Sequence, residues 1–207
     1  MAVCFFGDGC ASTTDFHSGL NFAATLGCPV IFFCRNNGYA ISTKVSEQYS
    51  GDGIVSRSTG YGMAGIRVDG NDIFAVHAAV REARAYALEN SAPVLIEAMT
   101  YRVGHHSTSD DSLRYRSSEE VQSFKTLSDP VSRLQAFLQT NEMVSDQDVA
   151  DMRDQERMAV IEAMRQAEEK AKPSLDHMFS DVYHSVPGSL QRQEEGLRLH
   201  RSKHPSY

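Results

Sequence analysis

Asp8 stands between two glycines in Gly7-Asp8-Gly9, and after 26 intervening residues comes the pair Asn36-Asn37. A carboxylate and a carboxamide both offer hard oxygen. A small set of such ligands suits a Mg²⁺ ion that a bound phosphate also ligates. Glycine on either side lets backbone come close to a ligand, and the N–H groups of the turn and of the helix start after it make a seat for an anion. Arg35 can add a charge-assisted contact. Taken singly, Gly7-Asp8-Gly9 and Asn36-Asn37-Gly38 each also read as an ordinary turn. A dinucleotide-binding reading of Gly7-x-Gly9-x-x-Ser12 is weaker, because Arg35 stands where an acid would end the second strand.

A second cluster lies in "YRVGHHSTSDDSLRYRS", residues 101–117. Adjacent histidines followed by hydroxyls and two aspartates admit three readings. A metal site is disfavoured, since neighbouring side chains in extended chain point apart. A plain polar loop is the second. The third is an active-site loop at the carboxyl end of a strand, where α/β folds bind their ligands.

The elements that must position these groups follow from hydrophobic pattern. Strand-like runs occur at Val3–Phe6, Val30–Cys34, Gly65–Val68 and Val94–Tyr101. Between them lie a helical pattern over about Asp15–Leu26 and a second one after Asn71-Asp72. The second places Ile73, Val76, Val80, Ala83 and Ala87 on one face. Strands that are continuously apolar and alternate with helices predict a parallel sheet covered on both faces. In a right-handed βαβ unit the carboxyl ends of both strands share an edge, which brings Asp8 and Asn37 together. Val3–Phe6 reads as a core strand in mid-sheet, some of whose neighbours would come from residues outside this chain. Residues 103–117 read as a loop. From Ser118 the pattern is helical, with helices over Asp129–Thr140 and from a cap at Ser145 to before Pro173. The polar last 20 residues read as a helix docked on a partner or as a mobile tail.

Composition narrows the function. The chain has 207 residues, of which 41% are hydrophobic and 23% charged, and its net charge is −7. Without a basic block, this argues against nucleic acid or a membrane surface as partner. No apolar run approaches the roughly 20 residues of a membrane helix, and neither a signal peptide nor a presequence is visible. The four cysteines, Cys4, Cys10, Cys28 and Cys34, lack zinc-type spacing. They read as reduced, buried small hydrophobes.

Gly7-Asp8-Gly9 with Asn36-Asn37 resembles the binding motif of thiamine-diphosphate enzymes. "NFAATLGCPVIFFCRNNGYAIST", "IRVDGND", "LIEAMTYRVGHHSTSDDSLRYRS" and "FSDVYHSVP" together resemble the alpha subunits of branched-chain 2-oxo acid dehydrogenases over most of the chain. The resemblance implies a thiamine-diphosphate-binding α/β fold, mostly parallel sheet with helices on both faces, in residues 1–117. An all-helical C-terminal extension of the same domain would occupy 118–207. It also implies that Asp8, Asn37 and the Tyr39 carbonyl hold Mg²⁺, and that Gly9, Cys10 and Arg35 contact the diphosphate. His106 would touch the cofactor and move protons, a task that a near-neutral pKa suits. Arg102 and His105 would support the loop, with Arg102 tethering carboxylates such as Asp110. Ser107 and Ser117 match two phosphorylation sites. The chain departs from the family's pattern in two places: Asp8 stands where Glu is frequent, and Thr13-Thr14 stand where Glu-Gly is usual.

By the same resemblance, the activity is oxidative decarboxylation of branched-chain 2-oxo acids, with acyl transfer to a lipoyl group. A pyruvate- or acetoin-type subunit is the alternative within the family. The implied partners are a beta subunit in an α₂β₂ heterotetramer, the lipoyl-bearing acyltransferase core, and a regulatory kinase and phosphatase. The mitochondrial matrix is the implied compartment. Family members carry about as much sequence again before the position of Val3, including a potassium site. The expectation is therefore a chain lacking that half, with a non-catalytic fragment that binds only the beta subunit as a further reading. A generic nucleotide-binding α/β domain is the last.

Overall fold

A computed structural model describes residues 1–204. Four strands form one parallel sheet: β1 (Ala2–Gly7), β2 (Val30–Asn36), β5 (Ala64–Asp69) and β6 (Val94–Met99), in the order β1-β2-β6-β5. A small antiparallel hairpin, β3 (Tyr39–Ala40) and β4 (Thr43–Lys44), follows β2 directly. The short helix α2 (Val45–Gln48) follows the hairpin.

The register explains both faces of the sheet. Phe6, Cys34, Glu97 and Arg67 stand in one row across the four strands. That face is covered by α1 (Thr14–Thr25), whose Phe16 and Leu20 are buried against Cys34 and Leu95. The opposite face carries Ile31, Phe33, Val94, Ile96 and Ala98. Here α3 (Ile73–Asn90) packs through Ala83 and Ala87, with Val76 and Val80 beside them. Small residues let the helix approach the sheet closely. Ile73, expected on this face, is 55% exposed, because it is the first residue of the helix and lies beyond the strands' ends. Asp72 caps α3 as its sequence position implies, accepting from the N–H groups of Phe74 at 2.9 Å and Ala75 at 3.1 Å.

Among the described residues β1 is paired only to β2, and Val3 is 44% and Phe5 68% exposed. The expectation of buried cysteines holds only for Cys34: Cys4 and Cys10 are exposed and Cys28 is half-buried. All four cysteines are free. An apolar run fixes strand type and leaves the strand's place in the sheet open.

The chain divides into two compact units, Met1–Asp146 and Gln147–Tyr207. The first unit includes α4 (Ser118–Leu127) and α5 (Pro130–Thr140) with the sheet. Asp129 caps α5 through the Ser132 N–H at 2.7 Å, and Arg133 pairs with Asp69 at the end of β5 at 2.7 Å. The second unit contains most of α6 (Asp146–Glu168), then α7 (His177–Ser180) and α8 (Gly188–Lys203). Helix α6 buries none of its residues. Phe179 of α7 is buried, and Arg198 of α8 reaches Asp176. Of the final 20 residues, Gly188–Lys203 are therefore helical, and 205–207 lie outside the described residues. No described helix is long and apolar enough to cross a membrane.

Candidate cofactor site at the carboxyl edge of the sheet

Gly7 pairs with Arg35, so Asp8 and Asn36 stand level at the carboxyl edge. Asp8 is 1% exposed. One of its oxygens accepts from the Asn37 N–H at 3.4 Å and the other from Gln48 Nε2 at 3.1 Å. Residues separated by 29 positions are thus in contact, as the strand–helix–strand reading requires. Asn37 turns its own amide oxygen onto the Tyr39 N–H at 3.1 Å, and a carboxamide oxygen keeps a second lone pair for a cation. Gly9 has an ordinary negative φ, so its value lies in space: a Cβ there would sit 2.8 Å from that of Ala40. The hairpin and the glycine turn can close on each other only without it.

After Gly9, Cys10–Ser12 form a single 3-10 turn, in which the N–H groups of Ala11, Ser12 and Thr13 are bonded to Asp8, Gly9 and Cys10 carbonyls. Arg35 stands at the same edge but leaves the opposite face of β2 and is exposed. Among the described residues no three His, Cys, Asp or Glu side chains converge as metal ligands. A cation here would rest on one carboxylate plus amide and carbonyl oxygen, a hard donor set.

Residues 101–117 pack beside this turn, joined to it by side chains. Glu120, in the first turn of α4, accepts from both Tyr39 and Tyr101 hydroxyls at 2.9 Å. Burial, then the bond to Glu120, pushes the Tyr39 phenol up to about 12, so it remains a donor at neutral pH. Arg102 donates to the Ile41 carbonyl at 2.7 Å and to the Tyr115 hydroxyl at 2.8 Å, and its other terminal nitrogen lies 3.5 Å from His106 Nδ1. Arg102 and Asp110 are linked through Tyr115, whose hydroxyl accepts from Arg102 and donates to Asp110 at 2.7 Å. The other Asp110 bond, from the His106 N–H at 2.9 Å, is the larger of the two in holding the Asp110 carboxyl below its usual range.

The two histidines point apart, as adjacent residues must. His105 Nδ1 accepts from the Ser112 N–H at 3.1 Å, which places its ring proton on Nε2. His106 is exposed at the surface of the loop. Ser107 Oγ lies 3.2 Å from Ser109 Oγ, and Ser117 caps α4 through the Glu120 N–H at 3.1 Å.

The family scan adds a match over residues 1–176 to the model described as "Dehydrogenase E1 component". The chain belongs to the dehydrogenase E1 component family. Its parallel sheet flanked by helices is that of the thiamine-diphosphate fold. The chain is 55% identical over 200 residues to the bovine "2-oxoisovalerate dehydrogenase subunit alpha, mitochondrial" and 54% to the human protein of that name. The Caenorhabditis elegans protein of the same name is 48% identical over 207 residues. These alignments cover 97%, 97% and 100% of this chain, but 44%, 45% and 48% of the relatives. The chain thus spans less than half the length of the curated relatives it matches.

Several residues of this E1-family site escaped the sequence reading. Gln48, Tyr115 and Glu120 act through contacts across 40, 5 and 81 positions that no local pattern announces. Arg116 is the largest omission: it is 4% exposed, and its guanidinium donates to the carbonyls of Arg102, Val103 and Gly104 while lying over the Tyr39 and Tyr101 rings. Glu97 did leave a signal, as the one charged residue in the apolar strand "VLIEAM". A buried acid persists only where partners hold it.

Proposed function

We propose that this chain works as the cation- and diphosphate-holding part of the alpha subunit of a branched-chain 2-oxo acid dehydrogenase. The observation that carries the reading is the meeting of Asp8 and Asn37 at the carboxyl edge, through the 3.4 Å bond. The residues fit the group. Asp8, Asn37 and the Tyr39 carbonyl would hold Mg²⁺, and the close approach at Gly9 leaves a compact seat. With the amides of residues 11–13 already bonded, the N–H groups of Gly9 and Cys10 and the Arg35 side chain would receive the diphosphate. When bound, thiamine diphosphate supplies the carbanion stabilisation that lets a 2-oxo acid lose CO₂.

The chain's own groups would then orient and move protons. His106 would carry a proton at its exposed imidazole, next to the site, with its backbone fixed by Asp110. His105 and Arg102 would hold the loop in place. Ser107 and Ser117 would be phosphorylation sites of unequal effect. A dianion at Ser107 stands beside Asp110 and His106 and loosens the loop by repulsion. A phosphate at Ser117 sits at a helix N-terminus, where negative charge is favoured. The names of the relatives support a 2-oxoisovalerate-type substrate and a mitochondrial setting, here the matrix. A beta subunit in an α₂β₂ assembly, a lipoyl-bearing acyltransferase core, and a kinase and phosphatase complete the reading. Residues 118–207 would extend the cofactor-binding domain.

Calorimetry with thiamine diphosphate and Mg²⁺, on the chain co-expressed with a beta subunit, tests the cofactor assignment. Cation-dependent binding is expected; silence would leave a chain that only binds its partner. Turnover of 3-methyl-2-oxobutanoate against pyruvate tests the substrate, and a preference for pyruvate overturns the branched-chain assignment.

A further inference from the structure

Glu97 is the buried acid at the centre of the sheet, with no exposed surface. Its Oε1 accepts from Asn36 Nδ2 at 2.8 Å and from the Ile54 N–H at 3.0 Å. Its Oε2 accepts from the Val55 N–H at 2.9 Å and from Arg67 Nε at 3.1 Å. Burial alone would raise its pKa, yet the bonds from Val55, Asn36, Ile54 and Arg67 together lower it. Glu97 is therefore an ionised carboxylate, which can only accept.

That restriction has a geometric result one residue away. The Asn36 side chain is buried, and an amide has a donor end and an acceptor end. With a carboxylate beside it, Nδ2 must face Glu97, so Oδ1 must face the other way. There it receives the Gly38 N–H at 3.0 Å. Gly38 has φ +85°, and this bond closes the tight turn containing Asn37. Asn37 N–H then meets Asp8 and Asn37 Oδ1 meets Tyr39 N–H.

We propose that Glu97 is a positioning residue for the cofactor site: through the Asn36 amide it locks the Asn36–Tyr39 turn in the shape that presents Asn37 opposite Asp8. This inference rests on the cation-site reading above for its functional meaning, while the lock itself is a property of the chain alone. Glu97 touches neither Asp8 nor Asn37 directly and acts through the orientation of one side chain. Outer partners of this kind set metal affinity by roughly 10- to 100-fold.

The test uses the full 207-residue chain, with Mn²⁺ as a paramagnetic probe in the presence of thiamine diphosphate. Hydrogen exchange at the Gly38 amide is followed in parallel without any ligand. Glu97→Leu removes the acceptor that holds Asn36 Nδ2; Gly38 protection falls and Mn²⁺ affinity drops about 10- to 100-fold. Arg67→Met removes one partner of Oε2, together with the bonds of Arg67 to Asp52, and leaves the Oε1 partners in place. It lowers thermal stability but leaves Gly38 protected and Mn²⁺ affinity within about threefold, a split that a merely structural glutamate would not produce. Should Glu97→Leu fail to fold, Asn36→Ala keeps Glu97 with its backbone and arginine partners and offers no side-chain oxygen to the Gly38 N–H. It should reproduce the loss of protection and affinity with little change in melting temperature. Unchanged Gly38 exchange in Glu97→Leu or Asn36→Ala overturns the lock. If the unmodified chain takes no Mn²⁺ while Gly38 exchange still responds to both substitutions, the lock stands and the cation-site reading is what falls.

Discussion

Residues 36–39 take their shape from the sheet: Asn36 ends β2, is paired with Met99, and has its side chain held by Glu97 on the next strand. Residues 103–117 have no strand beneath them. Their path is set by a polar cluster, with Arg116 gathering three carbonyls and Arg102, Tyr115, Asp110 and the His106 N–H bonded in series. The first region is held from beneath by a buried carboxylate on the neighbouring strand. The second is held by side-chain bonds around the buried Arg116, and its outer members, Asp110 and the His106 N–H, lie where water and charge compete for partners. Positioning a cation calls for the first kind of support. A loop that a modification can open calls for the second.

The sharpest way to break this contrast is Asp8→Ala. Cation-dependent binding of thiamine diphosphate should fall by more than the roughly 100-fold that outer-shell changes reach, with hydrogen exchange at His106 and Ser112 unchanged. Titration calorimetry with exchange mass spectrometry reads both. Next, Arg116→Ala should free the histidine loop at a cost of about 1.5–3 kcal/mol in its opening free energy, the range for hydrogen bonds from a charged group. The amides of His106 and Ser112 should exchange rapidly while Gly38 stays protected. Equal loss at Gly38 would show that the two regions are one unit.

Acid should separate them as well. The carboxyl of Asp110 is held below its usual range, chiefly by the His106 N–H and then by Tyr115. A depressed folded-state pKa means that the contribution is present above the unfolded value, about 3.9, and is lost as pH falls through the folded value. His106 amide protection should therefore decline over that acid window, and Asp110→Asn should remove the pH dependence by lowering protection at every pH. The smallest effect belongs to Ser117→Ala, which removes the cap of α4 and should cost about 1 kcal/mol in thermal unfolding. Neither the Asp8 contacts nor the His106 contacts should move.

The same contrast decides what could be read from sequence. Val30–Cys34 and Val94–Tyr101 announced their strands because burial on both faces demands apolar residues, and Asp72 and Asp129 announced helix starts through a local bonding rule. Asp8 and Asn37 followed from those elements, since parallel strands joined by a helix must end at one edge. The histidine loop showed its residue types but hid its wiring: Arg116 looks like any exposed arginine until Tyr39 and Tyr101 are placed under it.

Within the described residues one side of the β1 backbone ladder is unpaired, with the exposed Phe5 ring beside it. Such an edge is a place where further β-structure adds, from residues outside these 207 or from another polypeptide. For the 207-residue polypeptide handled by itself, a net charge of −7 offers weak protection, since at 0.1 M salt repulsion fades beyond about 10 Å and strand addition happens at contact. Its colloidal lifetime should thus depend on one residue more than on overall charge, and a lysine in place of Phe5 should extend it in light scattering.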